Sequence, residues 1–376
     1  MSSREKRGQA PFSGTKRRRK RGLSPFLATT SARPLTMVDV ARLAGVSPAT
    51  VSAVVNDKDG VSEERRARVR EAMAALDYHP DQIARSLKIG RTQVIGMVVP
   101  DISNQFFLEV VHGIETEALQ HGYSLILCNS GGSTEREQTQ LSTLFSRRVD
   151  GAILACTDSS SAYDGLIRRR FPLVFIDRVP VGFTRGAVVS NNVQGAYDAT
   201  RHLIDLGHTR VAIVAGDLRL SSGVDRVEGF RKAMQEAHLP VREEYFRRGD
   251  FQLDSGYRGG QELLRLAEPP TAILSCNNKM TLGLMRAAGE LRVPCPGRVS
   301  VLGFDDFEWA ASFSPRLTTV AQPTHEIGRR AMKMLLGKLN PASADPDTPP
   351  DSLIVLDTEL RIRESTAPPP APRYPT

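Results

Sequence analysis

Residues 36–56 read TMVDVARLAGVSPATVSAVVN, and this stretch predicts two short helices. Thr36 and Asp39 fit the N-cap and N3 positions of a capping box at the start of the first helix. Gly45 ends that helix, and Ser47 is placed to cap the second. Apolar residues recur at helical spacing on one face of each segment. Two short helices joined at a glycine turn predict a helix-turn-helix.

A third helix is predicted from Ser62 to about Leu76. Glu63 favours the positive end of that helix, and Pro80 cannot continue it. Residues 35–80 are therefore expected to form a small three-helix head. Three-helix adaptor domains carry similar patterns, so the helices alone leave that alternative open.

A longer string makes this region more specific. It adds to the motif above Val55-Asn56, Val61-Ser62 and Tyr78-x-Pro80-x5-Ser86-Leu87. The whole string closely resembles the DNA-binding head of the LacI/GalR family of bacterial transcription regulators. The resemblance implies that the second helix enters the major groove of double-stranded DNA, and that residues 81–92 are a hinge helix and a linker.

The same resemblance assigns contacts with DNA to nine residues. They are Thr36, Ser47, Pro48, Ala49, Thr50, Ala53, Asn56, Leu87 and Lys88. Ser47, Thr50 and Asn56 match positions that touch phosphates or frame the second helix. Leu87 matches a hinge leucine that two subunits wedge into the minor groove, where it kinks the DNA, and Lys88 lies beside it.

Pro48, Ala49 and Ala53 match the positions that face base edges, and none of them carries a side-chain hydrogen-bond donor. Direct readout by these residues can only be apolar, for example against thymine methyl groups. More of the sequence discrimination is therefore expected from deformation of the DNA at the hinge and from Lys88.

The net charge of the chain lies in its first 34 residues. The whole chain has a formal charge of +8, and residues 1–34 hold ten Lys and Arg against one acidic residue, a net +9. This segment has almost no apolar periodicity and is predicted to be disordered, as is the Pro-rich segment 367–376. Its functional interpretation is non-specific contact with phosphates, and a dispensable solvated tail is an equally good one.

Residues 93–366 alternate apolar runs of strand length with amphipathic helical stretches. The predicted strands cover residues 94–100, 123–129, 151–156, 172–177, 211–216, 271–277 and 299–305. Strands separated by helices indicate parallel sheets, and seven or more such units favour two doubly wound lobes over one sheet. The expected fold class is α/β, with an all-α helix-turn-helix head and two doubly wound parallel-sheet lobes that have crossovers near residues 191 and 320.

Polar side chains follow several predicted strands, at the edge where doubly wound folds bind ligands. The predicted effector contacts are Phe107, Asp177, Arg226, Phe251, Asn277 and Asp305, with Asp101 at a further strand end. Carboxylates, an amide and a guanidinium between aromatic walls suit a sugar or a sugar acid, which needs hydrogen bonds at its edge and stacking on its faces. An Asp or Asn at a strand end is also commonly a helix cap, and that alternative stays open.

The body also resembles the effector domain of LacI/GalR regulators, which looks like a periplasmic sugar-binding protein. The matching motifs lie at residues 101–107, 225–230, 277–278, 303–306 and 317–323. The sequence departs from the family at Asn278, where an Asp is common. The resemblance implies a repressor that binds a palindromic operator as a homodimer and responds to a small effector in the interlobe cleft. A neutral sugar, a sugar acid and a phosphorylated sugar all stay open.

Several function classes are disfavoured by the sequence. The longest apolar runs have about seven residues, far short of the roughly 20 that a membrane helix needs. Four cysteines without a C-x-x-C pair predict neither a disulfide framework nor a zinc site and suit a cytoplasmic protein. Without a G-x-S-x-G, P-loop or H-E-x-x-H motif, no enzyme, metal or cofactor is expected. The alternative is a sugar-binding α/β enzyme or sensor with a fused DNA-binding head.

Overall fold

A computed structural model describes residues 35–79, 90–158, 163, 165–166, 170–183 and 185–371. Contacts divide the chain into two compact units, residues 1–82 and 83–376. We call the described part of the first unit the head and that of the second unit the body. Leu87 and Lys88, the predicted hinge contacts with DNA, lie outside the described residues.

The described residues of the head form three helices, α1 (Met37–Ala44), α2 (Pro48–Val55) and α3 (Glu63–Ala75). The capping box is confirmed, because the Thr36 backbone N–H donates to Asp39 Oδ2 at 3.0 Å. Gly45 follows α1 in the left-handed conformation with a φ of 63°. Ser47 Oγ caps α2 by accepting from the Thr50 N–H at 3.1 Å. The predicted helix-turn-helix is therefore confirmed.

One small core joins the three helices of the head. Val40, Val51 and Val69, one from each helix, are fully buried in it.

In the described ranges, no single helix is long and apolar enough to cross a membrane. Only α1 and α2 taken together reach that length and composition, and they are bent by 105° at their break. Their apolar faces pack against α3 instead.

The described body contains two six-stranded sheets. Lobe 1 holds β1 (Val94–Val99), β2 (Ser124–Asn129), β3 (Gly151–Leu154), β4 (Leu173–Ile176), β5 (Ala187–Ser190) and β11 (Leu353–Leu356). Lobe 2 holds β6 (Val211–Ala215), β7 (Phe246–Arg248), β8 (Ala272–Ser275), β9 (Ser300–Phe304), β10 (Thr318–Ala321) and β12 (Glu359–Arg361). The strand orders are β11-β5-β4-β3-β1-β2 and β12-β10-β9-β8-β6-β7. Neighbouring strands are parallel, except that β12 is antiparallel to β10.

Helices cover the two sheets. They are α4 (Gln105–Gln120), α5 (Thr134–Ser146), α6 (Asn192–Asp205), α7 (Ser221–Glu236), α8 (Leu253–Leu264), α9 (Asn278–Glu290) and α10 (Thr324–Leu339). On lobe 1, Met97 packs into the core under α4 and α10, whereas its neighbour Val98 packs into a separate core under α5. Successive strand residues point to opposite faces, so this sheet is covered on both sides. The expected fold class is confirmed.

The chain passes between the lobes three times. It leaves lobe 1 after β5 at residue 191, returns after β10 at residues 322–323, and passes to lobe 2 again at residues 357–358. The first two passages lie near the expected positions, whereas the sequence does not predict the third. β11 (Leu353–Leu356) is a run of four apolar residues that was not among the predicted strands, and β12 has only three residues, of which one is apolar.

Helices α8 and α9 of lobe 2 approach each other through glycines. A methyl group added at Gly283 would lie 2.1 Å from the Leu253 carbonyl oxygen, and one at Gly256 would lie 2.2 Å from the Met280 carbonyl oxygen. These distances are far below van der Waals contact, so only glycine permits this packing. The contact fixes the N-terminal end of α9, which carries Asn277 as its cap.

Candidate effector cleft and DNA-facing helix

A cavity of about 230 Å³ lies between the two lobes of the body. All six predicted effector contacts line it, namely Phe107, Asp177, Arg226, Phe251, Asn277 and Asp305, and Asp101 does so as well. The polar lining residues that were not predicted from sequence are Asn104, Thr157, Arg178, Asp217, Arg219, Ser222, Asp250, Gln252 and Gln322. Arg178 directly follows Asp177, and Asp217 comes two residues after β6 ends. Both carry the strand-end signal that identified Asp177 itself.

Arg226 of α7 is the buried cation on the lobe 2 side of the cavity. Its Nε donates to Asn192 Oδ1 at 2.8 Å, and its Nη1 donates to the Cys276 carbonyl oxygen at 2.6 Å. Nη2 lies 3.9 Å from Asp305 Oδ1, and the guanidinium carbon lies 3.8 Å from the centre of the Phe304 ring. These contacts fix the guanidinium in one orientation before any ligand binds.

Asp305 follows β9 and lies next to Arg226 in the lining of the cavity. It is buried, with a backbone φ of 71°, and its Oδ1 accepts a hydrogen bond from Gln322 Nε2. Burial raises the pKa of the Asp305 carboxyl, although the positive charge of Arg226 and the Gln322 bond oppose that rise. A left-handed backbone at a buried aspartate is costly and is typical of functional sites.

Asp177 and Arg178 form the corresponding pair on the lobe 1 side. Arg178 Nε donates to Asp177 Oδ2 at 2.8 Å, and both side chains are buried. The Arg178 guanidinium carbon lies 5.9 Å from the centre of the Phe107 ring and 5.6 Å from that of Phe251. Since Phe107 belongs to lobe 1 and Phe251 to lobe 2, this cation stands between one aromatic ring of each lobe.

Carboxylates outnumber cations in the cavity, since five aspartates and three arginines are among the described residues that line it. Asp177 is paired with Arg178, Asp305 faces Arg226, and Asp217 binds Arg219 at 2.6 Å. The arginines among the described lining residues therefore have carboxylate partners already, which leaves no excess positive charge there for an anionic ligand. Within the described residues, no three His, Cys, Asp or Glu side chains converge as metal ligands. The arrangement offers fixed donors and acceptors side by side, which is what neutral hydroxyl groups need.

Asn277 lines the cavity and also caps α9. Its Oδ1 accepts from the Met280 N–H at 2.8 Å, and its Nδ2 donates to the Phe251 carbonyl oxygen at 2.9 Å. The helix-cap alternative is therefore correct for this residue. A carbonyl oxygen and an amide nitrogen can each make one more hydrogen bond, so the cap role leaves a ligand contact possible.

The loop that carries Asp305 is held from behind by Asp306. The Asp306 carboxylate accepts from Arg363 Nη1 at 2.8 Å and Nη2 at 2.9 Å, from Arg361 Nη1 at 2.7 Å and from Thr319 Oγ1 at 2.6 Å. Burial would raise the pKa of Asp306, but these hydrogen bonds outweigh it and lower the pKa to about 2. The third interlobe passage thus leads to Arg361 and Arg363, which hold the loop that carries Asp305 and Asp306.

Replacing Asp306 with Asn should lower the free energy of unfolding at pH 7 by about 2 kcal/mol. The folded-state pKa lies below the unfolded value of 3.8, so this stabilisation is present above about pH 4 and is lost as the pH falls towards 2. Urea unfolding monitored at pH 7 and pH 3 tests this. Glu364→Gln, which removes an exposed pair with Arg316, is the control and should change little. Equal stability of Asp306→Asn and wild type at pH 7 would contradict the assignment.

Helix α2 presents the residues predicted to face DNA. Pro48 and Ala49 are exposed and Ala53 is half-buried, whereas Val51 and Val54 on the opposite side are buried in the head core. Four further described residues of that prediction lie at the ends of α1 and α2: Thr36 and Ser47 are exposed, and Thr50 and Asn56 are half-buried. All four are engaged locally. Thr36 bonds to Asp39, Ser47 caps α2 with its Oγ 2.9 Å from Thr50 Oγ1, and Asn56 Nδ2 donates to the Ser52 carbonyl oxygen at 2.6 Å.

Comparison with known proteins gives matches to both units. The model for bacterial regulatory proteins of the lacI family matches residues 36–81, and that for periplasmic binding protein-like domains matches residues 200–366. The transcriptional repressor PurR of Vibrio vulnificus is 36% identical over 332 residues, which cover 87% of this chain and 99% of the relative. The ribose operon repressor of Escherichia coli K12 is 38% identical over 306 residues, covering 81% and 93%.

Solved structures that are similar to this chain are also those of LacI family regulators. The lac repressor dimer bound to operator and the anti-inducer ONPF superimposes with a TM-score of 0.79 at 29% identity, covering 89% of this chain and 100% of that one. A LacI family regulator from Enterococcus faecium with bound ribose gives a TM-score of 0.65 at 30% identity, covering 73% and 99%.

A helix-turn-helix head followed by a two-lobed, periplasmic-binding-protein-like body defines an effector-controlled transcription regulator. The chain belongs to the LacI family and is a DNA-binding transcriptional repressor with an effector-binding domain. Its relatives are repressors rather than enzymes, which confirms the prediction of a non-enzyme and disfavours the alternative of an enzyme with a fused head.

Proposed function

We propose that this repressor binds a palindromic operator as a homodimer and is controlled by a neutral monosaccharide, a pentose such as ribose, in the interlobe cleft. The observation that carries the proposal is a cavity whose arginines already have carboxylate partners, including two buried Asp–Arg pairs, Asp177 with Arg178 and Asp305 with Arg226. The cytoplasm, where the chromosome lies, is the proposed site of action.

The pairing of every arginine among the described lining residues favours a neutral sugar over the sugar acid and the phosphorylated sugar. Each hydroxyl group of a sugar both donates and accepts, so it can donate to Asp177 or Asp305 and accept from Arg178 or Arg226. A carboxylate or phosphate would need an unpaired cation, because burying a charge without a partner is costly. The rings of Phe107 and Phe251 supply the apolar walls on which a sugar face packs.

The size of the cavity favours a single sugar ring. At about 230 Å³ it lies below the roughly 300–1,000 Å³ of sites that take drug-sized ligands. Relatives support a pentose, since one is a ribose operon repressor and a similar structure holds ribose. Another similar structure, a regulator named CelR, is a complex with cellobiose, a disaccharide that would need a larger space.

On the DNA side, we assign apolar base contacts to Pro48, Ala49 and Ala53, whose exposure on α2 supports that role. Thr36, Ser47, Thr50 and Asn56 would contact phosphates or hold the helix ends. Leu87 and Lys88 remain the proposed minor-groove wedge and its neighbour, by resemblance alone.

An exposed apolar surface on the body supports the homodimer. Leu108 of α4 and Trp309 are 48% and 38% exposed, and both line one outer cavity together with Leu282 of α9. Exposed large apolar residues gathered in one place mark interaction surfaces. A two-fold dimer would place two heads on the two halves of a palindromic operator, and one of the solved relatives is a dimer bound to operator.

Calorimetric titration of the full chain tests the proposed effector. D-ribose should bind, whereas ribose 5-phosphate and ribonate should bind at least tenfold more weakly because their negative charge meets only cations that are already paired. Cellobiose tests whether a disaccharide fits into the cavity, and hypoxanthine tests whether a nucleobase binds there. Binding of only the phosphate, only the acid or only hypoxanthine would overturn the neutral-sugar assignment and leave the family membership unchanged.

Deletion of residues 2–33 should flatten the salt dependence of DNA binding while the operator preference stays intact. The deletion removes all of the net positive charge of the chain, and the slope of log K against log salt decreases in magnitude by about 0.9 for every phosphate that is no longer neutralised. Affinity for a selected operator and for a scrambled duplex, measured at a series of salt concentrations, provides the test. Loss of the preference for the operator would show that recognition lies in the tail instead of in α2.

A further inference from the structure

We propose that Asn278 and Lys279, the first residues of α9, form a latch with residues 101–104 of lobe 1 that sets how long the effector stays in the cleft. The latch consists of Asn278 and Lys279 on one side and Asp101, Ser103 and Asn104 on the other. The role of the latch rests on the proposed function, whereas its existence as an interlobe contact can be tested without any sugar.

The inner part of the latch is a pair of buried amides. Asn278 Nδ2 donates to Asn104 Oδ1 at 2.8 Å, and the two residues are only 5% and 8% exposed. The same Asn104 oxygen accepts from the Phe106 N–H at 3.1 Å and so caps α4. The bond therefore ties the start of α9 in lobe 2 to the start of α4 in lobe 1, next to Phe107.

Asn278 is suited to this bond because its amide nitrogen can donate. An ionised aspartate at this position could only accept hydrogen bonds. It would then face the Asn104 oxygen, which is also an acceptor, and the bond between the lobes would be lost.

The outer part of the latch is an ion pair. Lys279 Nζ contacts Asp101 Oδ2 and donates to Ser103 Oγ at 3.0 Å. The Lys279 and Asp101 side chains are 22% and 20% exposed, so solvent screens this pair only in part. Burial would raise the pKa of Asp101, but the hydrogen bonds from Lys279 and Ser103 hold it below its usual range, which keeps the carboxylate charged.

The latch lies at the rim of the effector cavity, and its two lobe 2 residues are not among those that line this cavity. Asp101 and Asn104 line the cavity, whereas Asn278 and Lys279 line the neighbouring outer cavity. Bonds between the two lobes exist only while the lobes are closed. Weakening them should speed the opening that releases the ligand and leave the association rate unchanged, since most affinity changes of this kind lie in the dissociation rate.

Trp309 provides the signal for such an experiment. It is the only tryptophan of the chain, and it lines the same outer cavity as Asn278 and Lys279. Its fluorescence should therefore respond when the lobes separate. Stopped-flow fluorescence of the full chain with D-ribose can then measure association and dissociation separately.

Lys279→Met should raise the dissociation rate of D-ribose about tenfold, the size expected for one charge-assisted hydrogen bond, with association changed less than twofold. Asn278→Asp should also raise the dissociation rate. Lys279→Arg keeps the positive charge, so its dissociation rate should stay close to that of the wild type. High salt screens the ion pair and should raise the wild-type dissociation rate towards that of Lys279→Met. Arg286→Gln, which removes an exposed pair within α9, is the matched control and should leave both rates unchanged.

Hydrogen exchange without sugar separates this proposal from the proposed function. In Lys279→Met, the backbone amides of residues 104–108 and 278–282 should exchange faster than in the wild type. Wild-type dissociation rates in both Lys279→Met and Asn278→Asp would overturn the latch. If the wild type does not bind ribose, the effector assignment fails, and unchanged exchange in Lys279→Met would then overturn the latch independently.

Discussion

Replacing Arg226 with Met should lower the free energy of unfolding of the body by about 3–5 kcal/mol, because the change leaves a buried carboxylate without its cation. Arg226 is 2% exposed and donates to Asn192 and to the Cys276 carbonyl oxygen while it faces Asp305. Methionine fills a similar volume but supplies no donor, so these acceptors lose their partners. Urea unfolding monitored by Trp309 fluorescence measures the loss.

A second substitution distinguishes charge from packing. In the double variant Arg226→Met/Asp305→Asn, the uncompensated carboxylate is gone, so part of the lost stability should return. Arg231→Met, at an exposed position of the same helix, is the control and should change little. Wild-type stability of Arg226→Met, or no recovery in the double variant, would show that the Arg226–Asp305 pair does not hold this part of the cleft together.

Replacing Asp305 with Asn should weaken effector binding by about 10–150-fold, the loss expected when a hydrogen bond to a charged group, worth roughly 1.5–3 kcal/mol, is removed. Asparagine keeps the shape of the side chain but supplies only one carbonyl oxygen as an acceptor. Because burial raises the pKa of Asp305, effector affinity of the wild type should also fall as the pH drops towards that raised pKa. Calorimetry with D-ribose from pH 8 to pH 5 measures both effects.

Glu308→Gln is the matched control for Asp305→Asn. Glu308 is exposed in the same loop and lies outside the residues that line the effector cavity, so its replacement should leave the affinity unchanged. Equal losses in the two variants would mean that the negative charge of the loop matters rather than contact with the ligand. An unchanged affinity in Asp305→Asn would remove this residue from the site.

The features predicted from sequence are those that local chemistry decides. The capping box at Thr36 and Asp39 and the turn at Gly45 depend on neighbours in the chain, and the structure has them where the pattern places them. Asp177 and Asp305 were found because each follows a buried apolar strand, and the carboxyl ends of parallel strands converge on one cleft.

The features that sequence missed depend on distant contacts or on short elements. Asn104 and Asn278 are 174 residues apart in the chain, and no local pattern predicts that they meet. The strands β11 and β12 have only four and three residues and lie at sheet edges, so their sequence signal is weak even though Leu353–Leu356 is apolar throughout. Asn277 carried the strand-end signal, but that signal does not separate a ligand contact from a helix cap, and the structure shows the cap.

The net positive charge of the chain lies outside helix α2, the element that we propose recognises the DNA sequence. Residues 1–34 carry a net +9, whereas the three positions of α2 that are predicted to face bases are small and apolar. Charge of this kind supplies affinity that falls with salt, so we propose that sequence preference comes from the head and from residues 81–92. The proposed effector cleft and helix α2 are therefore the two places where the proposals can be tested.

Operator affinity measured with and without D-ribose tests the central claim most directly. The duplex is selected by the full chain from a random library, and binding is measured at one fixed salt concentration because the affinity depends on salt. Coupling between two sites is typically about 5–150-fold, so saturating ribose should change the operator affinity by about tenfold or more, while hypoxanthine and ribose 5-phosphate should not. An operator affinity that is the same with and without ribose would contradict the account.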